Sequence, residues 1–215
     1  SSAASDVYKR QDAALCDAAG AALIFHPEPE EMYLPDYSTF VDMRTLTDVL
    51  CGKTRPIHFS GVCTVVSKLF NIVQPDRAYF GQKDAQQLAV IKHMVADLNF
   101  DIEIIGCPII READGLAKSS RNTYLNEEER KQAVILSQAL NQGKELIEDG
   151  ETRASVIKQI IRDKIETMPL ARIDYVEIVD FKTFKDLDEI QGEVLAAVAV
   201  YIGKTRLIDN FIIQL

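Results

Sequence analysis

The chain has 215 residues, of which 47% are hydrophobic, and its formal net charge is −9. A chain of this length can bury one sizeable core, or one core and a small second domain. An acidic surface repels phosphate backbones on average, so we expect no nucleic-acid partner. No apolar run approaches the roughly 20 residues that a membrane span needs. We therefore expect a soluble, cytoplasmic protein without a membrane partner.

The chain opens with a polar stretch. SSAASDVYKRQ (1–11) has no periodicity, and we expect it to be a leader outside the fold. DAALCDAAG then predicts a helix that ends at Gly20, and AALIF (21–25) predicts a short buried strand. After a proline-bearing loop, STFVDM (38–43) alternates like a strand and TLTDVLCG (45–52) suits a short helix.

A strand–helix–strand unit occupies the middle of the chain. GVCTVVSKLFNIV (61–73) has apolar residues at helical spacing, which predicts a helix facing the core. RAYF (77–80) predicts a strand, GQKD a tight turn, AQQLAVIKHMVADLNF (85–100) a helix and DIEIIGCP (101–108) a strand. Parallel pairing with a right-handed crossover is the default for such a unit.

The pattern changes after Ile110. Asn126 and Glu129 resemble a capping box for a helix that runs to Gly150, and a second helix is predicted over 152–167. Three strands follow: IDYVEIVD, GEVLAAVAVYIG and TRLIDNFIIQL. Helices followed by strands indicate a separate α+β domain, so we predict an α/β protein with domains 12–110 and 111–215.

The cysteines and histidines give little support for a metal or disulfide framework. Four cysteines are widely spaced without a C-x-x-C pair, and we expect them to be buried, reduced thiols. Three histidines are equally isolated, so we predict no metal site. His58, in RPIHFSGV, is interpreted as a structural or interface histidine.

Lys83 marks the first candidate site. It follows the strand that ends at Phe80, after Gly81, which permits a close turn, and lies where a helix begins near Asp84. Unpaired N–H groups and the positive end of the dipole make such a helix start suitable for a phosphate or carboxylate. Gln87 lies one turn later, within reach of the same ligand. Alternatively, Lys83 is merely solvated and Asp84 only caps the helix.

The second candidate site is GLAKSSRNTYL (115–125). Lys118 and Arg121 supply two cationic donors and two serines supply hydroxyls, a combination suited to a polyphosphate. Alternatively, the loop is an exposed interdomain linker in which Arg121 pairs with Asp114 or Glu112. Two cationic turns suggest a nucleotide between two domains, but they do not identify a reaction.

Long segments of the sequence resemble the pantothenate synthetase family, the AMP-forming pantoate:β-alanine ligases. The similar segments are RPIHFSGVCTVVSKLFNIVQPDRAYFGQKDAQQLAVIKHMVAD, PIIREADGLAKSSRNTYL and the terminal TRLIDN. The resemblance implies a Rossmann-like nucleotidyltransferase domain, incomplete at its N-terminus, followed by a small C-terminal lid domain, in a homodimer. It also implies ATP, with Mg²⁺, pantoate and β-alanine as substrates and a pantoyl adenylate as the intermediate.

The resemblance assigns roles to the candidate residues. The family's G-E-K-D nucleotide motif matches Gly81, Gln82, Lys83 and Asp84, and its M-S-S-R phosphate loop matches Lys118, Ser119, Ser120 and Arg121. Ile110 matches the residue that contacts adenine through its backbone, and Gln87 matches the pantoate-binding glutamine. Lys83, Ser119, Ser120 and Arg121 are the implied catalytic residues. Gln82 and Lys118 depart from the family pattern, which has glutamate and methionine or leucine.

Two family segments have no counterpart in the chain: an H-x-x-H loop for ATP phosphates and an Asn-Pro-x-Gln-Phe segment for pantoate. We expect an N-terminally truncated sequence that binds ATP weakly and catalyses little on its own. Two alternatives stay open, a non-catalytic nucleotide-binding or dimerisation homologue and another adenylyltransferase. A nucleic-acid-binding relative of the synthetases fits the acidic charge least.

Overall fold

The computed structural model describes residues 11–55 and 57–215. The predicted leader lies outside the described residues except for Gln11, which is helical. Contacts divide the chain into two compact units, residues 1–39 and Phe40–Leu215. The predicted domain limits near residues 11 and 110 stay predictions.

The described part of the first unit contains two helices. Residues 11–18 form α1, which confirms the helix predicted before Gly20, and Pro29–Met32 form α2. The predicted strand 21–25 is wrong, since these residues are irregular and Leu23 and Ile24 are 78% and 49% exposed. An apolar run this short becomes a strand only where another strand pairs with it.

The predicted strand 38–43 is wrong, since these residues are irregular. The Val41 N–H donates to Thr64 Oγ1 at 2.9 Å, so a helix side chain takes the place of a neighbouring strand. The next helix, α3, spans Leu50–Thr54, later than predicted. Thr45 has a φ of +72°, which an α-helix cannot contain.

The strand–helix–strand unit is confirmed. Helix α4 (His58–Val73) precedes β1 (Arg77–Gly81), and α5 (Ala85–Asp97) connects β1 to β2 (Glu103–Cys107). The two strands pair in parallel, with Arg77 opposite Glu103 and Gly81 opposite Cys107. A 3₁₀ turn, Gln82–Asp84, joins the end of β1 to the start of α5.

Helices α6 (Glu127–Ala133), α7 (Ile135–Glu148) and α8 (Ala154–Glu166) follow. The capping box at the start of α6 is confirmed, since Asn126 Oδ1 accepts the Glu129 N–H at 2.9 Å and Glu129 Oε2 accepts the Asn126 N–H at 3.0 Å. The single helix predicted here is broken at Val134. At the break, the Val134 N–H donates to the Gln132 carbonyl, two residues earlier, and not to the carbonyl four residues earlier as in an α-helix.

The three C-terminal strands are confirmed as β3 (Ala171–Asp180), β4 (Glu193–Ile202) and β5 (Thr205–Gln214). They form an antiparallel sheet in the order β3-β4-β5. Gly203, with a φ of +57°, turns the chain between β4 and β5. The structure is a mixed α/β fold, as predicted.

Strand β4 is buried on both faces. Val194, Ala196, Val198 and Val200 pack in a cluster with α7 and α8, whereas Leu195 and Ala197 pack in a cluster with α4 and α5. Because neighbouring residues of a strand point to opposite faces, one strand serves both clusters. The Phe40–Leu215 unit is therefore layered, with the C-terminal sheet between two sets of helices.

The predicted burial of the cysteines is only partly correct. Cys63 is buried, and this burial raises its pKa to about 11. Cys51 and Cys107 are half-buried and Cys16 is exposed, and none of the four forms a disulfide among the described residues. Among the helices described, none has the length and apolar character required to cross a membrane.

Candidate active site

The 3₁₀ turn Gln82–Asp84 presents Lys83 at the end of β1. The Lys83 side chain is 20% exposed and its Nζ lies 3.7 Å from Asp84 Oδ2. Gly81 is not required by the turn itself, contrary to our interpretation, because its φ is −70°. A Cβ added to Gly81 would meet nothing within 4 Å among the described residues. The space beside the turn is therefore open to a ligand.

Asp84 and Gln87 lie at the beginning of α5. Asp84 occupies the N-cap position, but its side chain makes no capping hydrogen bond, so the alternative in which it merely caps the helix loses support. Gln87 is half-buried in the first turn of the helix. Both side chains therefore lie at the N-terminal end of α5, where the first N–H groups are unpaired and the helix dipole is positive.

The second candidate segment begins with a short hairpin. Arg111 and Ala117 form an antiparallel bridge, and the Lys118 N–H donates to the Ile110 carbonyl at 2.8 Å. The chain turns at READG (111–115), with Gly115 at a φ of +92°. The hairpin brings Ile110 beside Lys118, although eight positions separate them in the sequence.

Arg121 is the second residue of the 3₁₀ segment Ser120–Tyr124, which follows Ser119. Its guanidinium donates to the Arg206 carbonyl at 3.3 Å. It pairs with neither Asp114 nor Glu112, because Arg130 binds both carboxylates. Within the described part of the chain, Arg121 therefore keeps a guanidinium free of carboxylates.

One pocket of the Phe40–Leu215 unit collects residues from both candidate segments. Lys83, Asp84, Gln87 and Arg121 line it, and it holds about 570 Å³ of empty space, part of it open to solvent. A concave site with a few convergent polar side chains is typical of small-molecule binding sites. A smaller adjoining cavity is lined by Lys83, Ser119 and Arg121.

The remaining predicted residues do not line this pocket. Ile110, Lys118 and Ser120 line an open depression together with Ser119. Gly81 and Gln82 form the backbone that leads into the Lys83 turn. The structure thus brings together the lysine, the glutamine and the arginine that the sequence indicated separately.

The pocket also contains a cluster that the sequence did not indicate. Arg206 forms an ion pair with Asp174 at 2.8 Å, and its guanidinium lies 3.7 Å from Cys51 Sγ. The Tyr175 hydroxyl is 3.3 Å from the same sulfur. Burial raises the pKa of Tyr175, and contact with Cys51 acts in the same direction. Burial opposes the charge of Arg206, but the hydrogen bond to Asp174 and the adjacent Cys51 raise its pKa overall.

Gln86 stabilises the backbone segment that places Cys51 in the wall of the pocket. This side chain is 6% exposed, and its amide donates to the carbonyls of Leu46 and Val49, both at 2.8 Å. Its Oε1 accepts the Cys51 N–H at 3.0 Å. The sequence did not distinguish Gln86 from its neighbour Gln87, because two glutamines follow one another at the start of the helix.

His58 begins α4 and lines the pocket, although we interpreted it as a structural or interface residue. Burial lowers its pKa, and Arg55 and Arg121 lower it further, while Asp84 raises it. The imidazole is therefore biased toward the neutral form. No cluster of three or more potential metal-ligating His, Cys, Asp or Glu side chains occurs within 11–55 and 57–215.

Comparison with known proteins decides the family. The family model described as pantoate-beta-alanine ligase matches residues 6–212. The chain belongs to this family. Pantothenate synthetase from Clostridium acetobutylicum is 62% identical over 209 residues, which cover 96% of this chain and 74% of that relative. Pantothenate synthetase from Clostridium novyi is 58% identical, with 98% and 75% covered.

Solved structures of family members have the same fold. The structure of pantothenate synthetase from Thermus thermophilus matches with a TM-score of 0.90 and 42% identity, covering 94% of this chain and 73% of that one. Pantoate-beta-alanine ligase from Francisella tularensis, complexed with beta-gamma ATP and beta-alanine, matches with a TM-score of 0.71 and 30% identity. Here 94% of this chain and 69% of that one are covered.

Proposed function

We propose that the chain catalyses the ATP-dependent condensation of pantoate with β-alanine through a pantoyl adenylate, releasing AMP and pyrophosphate. Membership of the pantoate-beta-alanine ligase family supports the ligation. The observation that carries the adenylate step is one pocket lined by Lys83, Gln87 and Arg121. The two cationic side chains suit the phosphates of ATP, and the neighbouring amide suits the polar groups of pantoate.

In the first step, a carboxylate oxygen of pantoate attacks the α-phosphorus of ATP, and pyrophosphate leaves. Negative charge grows on the phosphoryl oxygens and on the leaving group, so preorganised donors there stabilise the transition state. Lys83, Arg121, Ser119 and Ser120 are the proposed donors, with Lys118 beside them. The Gln82 turn and the Ile110 backbone hold the nucleotide. Gln87 binds pantoate.

In the second step, the amine of β-alanine attacks the carbonyl carbon of the mixed anhydride. The bond from that carbon to the bridging oxygen breaks, and AMP leaves with this oxygen. No covalent bond to the enzyme forms in either step. Mg²⁺ enters with ATP as part of the substrate, because it prefers phosphate oxygens and water to an all-protein cage. Asp84, 53% exposed in the pocket, is the carboxylate best placed to face it.

The 215 residues carry neither an H-x-x-H loop nor an Asn-Pro-x-Gln-Phe segment. We propose that this stretch alone binds ATP weakly and turns over slowly, since part of the phosphate and pantoate contacts would be lacking. We also propose that the protein acts as a homodimer. Sedimentation at micromolar concentration checks this state, and a single monomeric species would contradict it.

An isotope experiment tests the adenylate route on the full chain. Pantoate labelled with ¹⁸O in its carboxylate is incubated with ATP, Mg²⁺ and β-alanine, and AMP is analysed by mass spectrometry. We expect one labelled oxygen in each AMP formed, because the bridging oxygen comes from pantoate. Unlabelled AMP would refute the adenylate.

The alternatives give different results in the same assay. A non-catalytic homologue would bind ATP without releasing pyrophosphate. Another adenylyltransferase would release pyrophosphate only with a different acceptor. Pantoate-dependent pyrophosphate release in the absence of β-alanine, followed by AMP formation when β-alanine is added, would exclude both.

A further inference from the structure

Asn210 connects the last strand to the Lys83 turn. It lies on β5 opposite Ala197 of β4, and it is 3% exposed. Its side-chain amide donates to the carbonyls of Gln82 and Lys83, at 3.0 and 2.9 Å. These bonds span 128 and 127 positions of the sequence. Because both acceptors are carbonyl oxygens, only the NH₂ group can face them, so the orientation of the amide is determined.

The two bonds determine the geometry of the turn. A peptide unit is planar, so a fixed carbonyl also fixes the N–H of the following residue. Asn210 thereby orients the two peptide planes on either side of the Lys83 Cα, and with them the direction in which the Lys83 side chain leaves the backbone. The turn itself has only three residues and a weak 3₁₀ pattern, which does not determine its geometry as firmly.

Neighbouring residues hold Asn210 in place. Asp209, which is 2% exposed, accepts the Asn210 N–H at 2.8 Å and binds the Arg111 guanidinium at 2.7 and 3.0 Å. Four positions before Asn210 on the same strand, the Arg206 carbonyl accepts a bond from Arg121. One strand therefore contacts the Lys83 turn, Arg111 and Arg121.

Packing alone does not account for an asparagine at this position. Asn210 Oδ1 is buried and has no hydrogen-bond partner in the described part of the chain. An unpaired buried oxygen is unfavourable, and an apolar side chain of similar size would avoid it. What the asparagine provides, and an apolar residue cannot, is a donor for the two carbonyls.

We propose that Asn210 is a positioning residue, which holds the Gln82–Lys83 backbone in the geometry that directs Lys83 into the pocket. Its effect on catalysis rests on the proposed function, in which Lys83 stabilises charge on the phosphates. Its effect on the turn does not depend on that function. The two parts can therefore be measured separately.

The first measurement is hydrogen exchange of the backbone amides in the Gln82–Asp84 turn. Asn210→Asp keeps the shape but replaces the donor with an oxygen that repels both carbonyls, and Asn210→Ala removes the group. We expect exchange in the turn to become about tenfold faster or more in both variants, because the two hydrogen bonds from Asn210 are lost. Unchanged exchange in the turn would overturn the proposal.

Gln132→Ala is the matched control. Gln132 is also a buried amide, 8% exposed, and its Oε1 accepts the Leu170 N–H at 3.0 Å, but it lines none of the cavities around Lys83. We expect this variant to lose stability without faster exchange in the Lys83 turn. Equal acceleration in the control would mean that the Asn210 effect is general loosening, which contradicts a positioning role.

The second measurement is a double-mutant cycle on pyrophosphate formation. We expect Asn210→Ala to lower kcat about tenfold in the wild-type background and to have little further effect when Lys83 is already alanine, since both act through one side chain. Additive losses would overturn the link to Lys83. If the wild-type chain formed no pyrophosphate from ATP and pantoate, the proposed function would fail, and hydrogen exchange alone would decide the positioning role.

Discussion

Lys83 is the residue whose role depends most directly on charge. It lies in the turn before α5, 20% exposed, and lines both cavities that Arg121 also lines. We expect Lys83→Ala to lower the rate of pyrophosphate formation by roughly 10² or more, by analogy with loss of one preorganised donor. The assay follows pyrophosphate at saturating ATP and pantoate.

The control for this prediction is Lys92→Ala, which removes the same charge from an exposed position on α5, the helix that follows the Lys83 turn. Lys92 does not line the pocket that holds Lys83. We expect its rate to remain within about twofold of the wild type, because exposed charges act weakly over distance. Equal rates in the Lys83 variant and the wild type would remove Lys83 from the proposed mechanism.

Gln87 tests the binding of pantoate separately from that of ATP. Its position in the first turn of α5, on the pocket wall, allows its amide to reach a ligand held beside Lys83. We expect Gln87→Ala to raise the KM for pantoate about tenfold and to change the KM for ATP much less. Steady-state kinetics with each substrate varied provide the measurement. Equal changes in both constants would contradict a pantoate-specific role.

His58 makes stability depend on pH. Its folded-state pKa lies below the usual 6.5, chiefly because burial disfavours the charge. The unfolded chain therefore binds more protons as the pH falls below 6.5, and stability decreases until the folded pKa is passed. We expect His58→Gln to lessen this decrease. The test compares the melting temperatures of the two proteins between a pH of about 7 and a pH of about 5. Parallel curves of melting temperature against pH would contradict the prediction.

At the scale of elements, the sequence was informative wherever apolar periodicity was sustained. Helices α4, α5 and α8 and strands β3 to β5 were predicted close to their observed limits. The predicted strands 21–25 and 38–43 failed because strand formation depends on a pairing partner, which local composition does not reveal. The break at Val134 was missed because no proline or glycine marks it in the sequence.

In the candidate site too, some residues could be predicted from the sequence and others could not. Lys83, Gln87 and Arg121 could be predicted because each lies in a contiguous motif next to an element boundary. Asp209 and Asn210 could not, because their partners lie 98 to 128 positions away, and only the fold brings them together. Two adjacent polar residues within an apolar strand were the available signal.

The backbone of helix α3 packs closely against the loop that precedes this helix. Gly52 is the point of contact, since an added Cβ would lie 1.8 Å from the Thr47 carbonyl oxygen. We expect Gly52→Ala to lower the free energy of unfolding by about 1–3 kcal/mol, because backbone must move to relieve the overlap. Chemical denaturation of the full chain measures this loss.

At Gly61, we expect the same substitution to have the opposite effect on stability. It is exposed within α4, and an added Cβ would meet nothing within 4 Å among the described residues. Alanine has the higher helix propensity, so we expect Gly61→Ala to stabilise the protein by roughly 0.5–1 kcal/mol. If both variants were stabilised, the close packing of Gly52 against the Thr47 backbone would be refuted.

At the scale of the Phe40–Leu215 unit, β4 couples the two clusters of buried residues. Leu195 and Ala197 belong to the cluster with α4 and α5, and Val194 and Val198 to the cluster with α7 and α8. Neither cluster can lose its packing without exposing one face of the same strand. This arrangement favours a single cooperative unit over two domains that unfold independently near residue 110.

Two buried isoleucines on opposite sides of the sheet test this coupling. Ile91 lies on α5 and Ile161 on α8, and both are 0% exposed. We expect Ile91→Ala and Ile161→Ala each to lower the free energy of unfolding by about 2–5 kcal/mol. Each substitution should accelerate the exchange of the protected amides in α5 and in α8 by the same factor, because both helices unfold together. If Ile91→Ala left the exchange of α8 unchanged, and Ile161→Ala that of α5, the clusters would unfold independently and a boundary near residue 110 would be the better description.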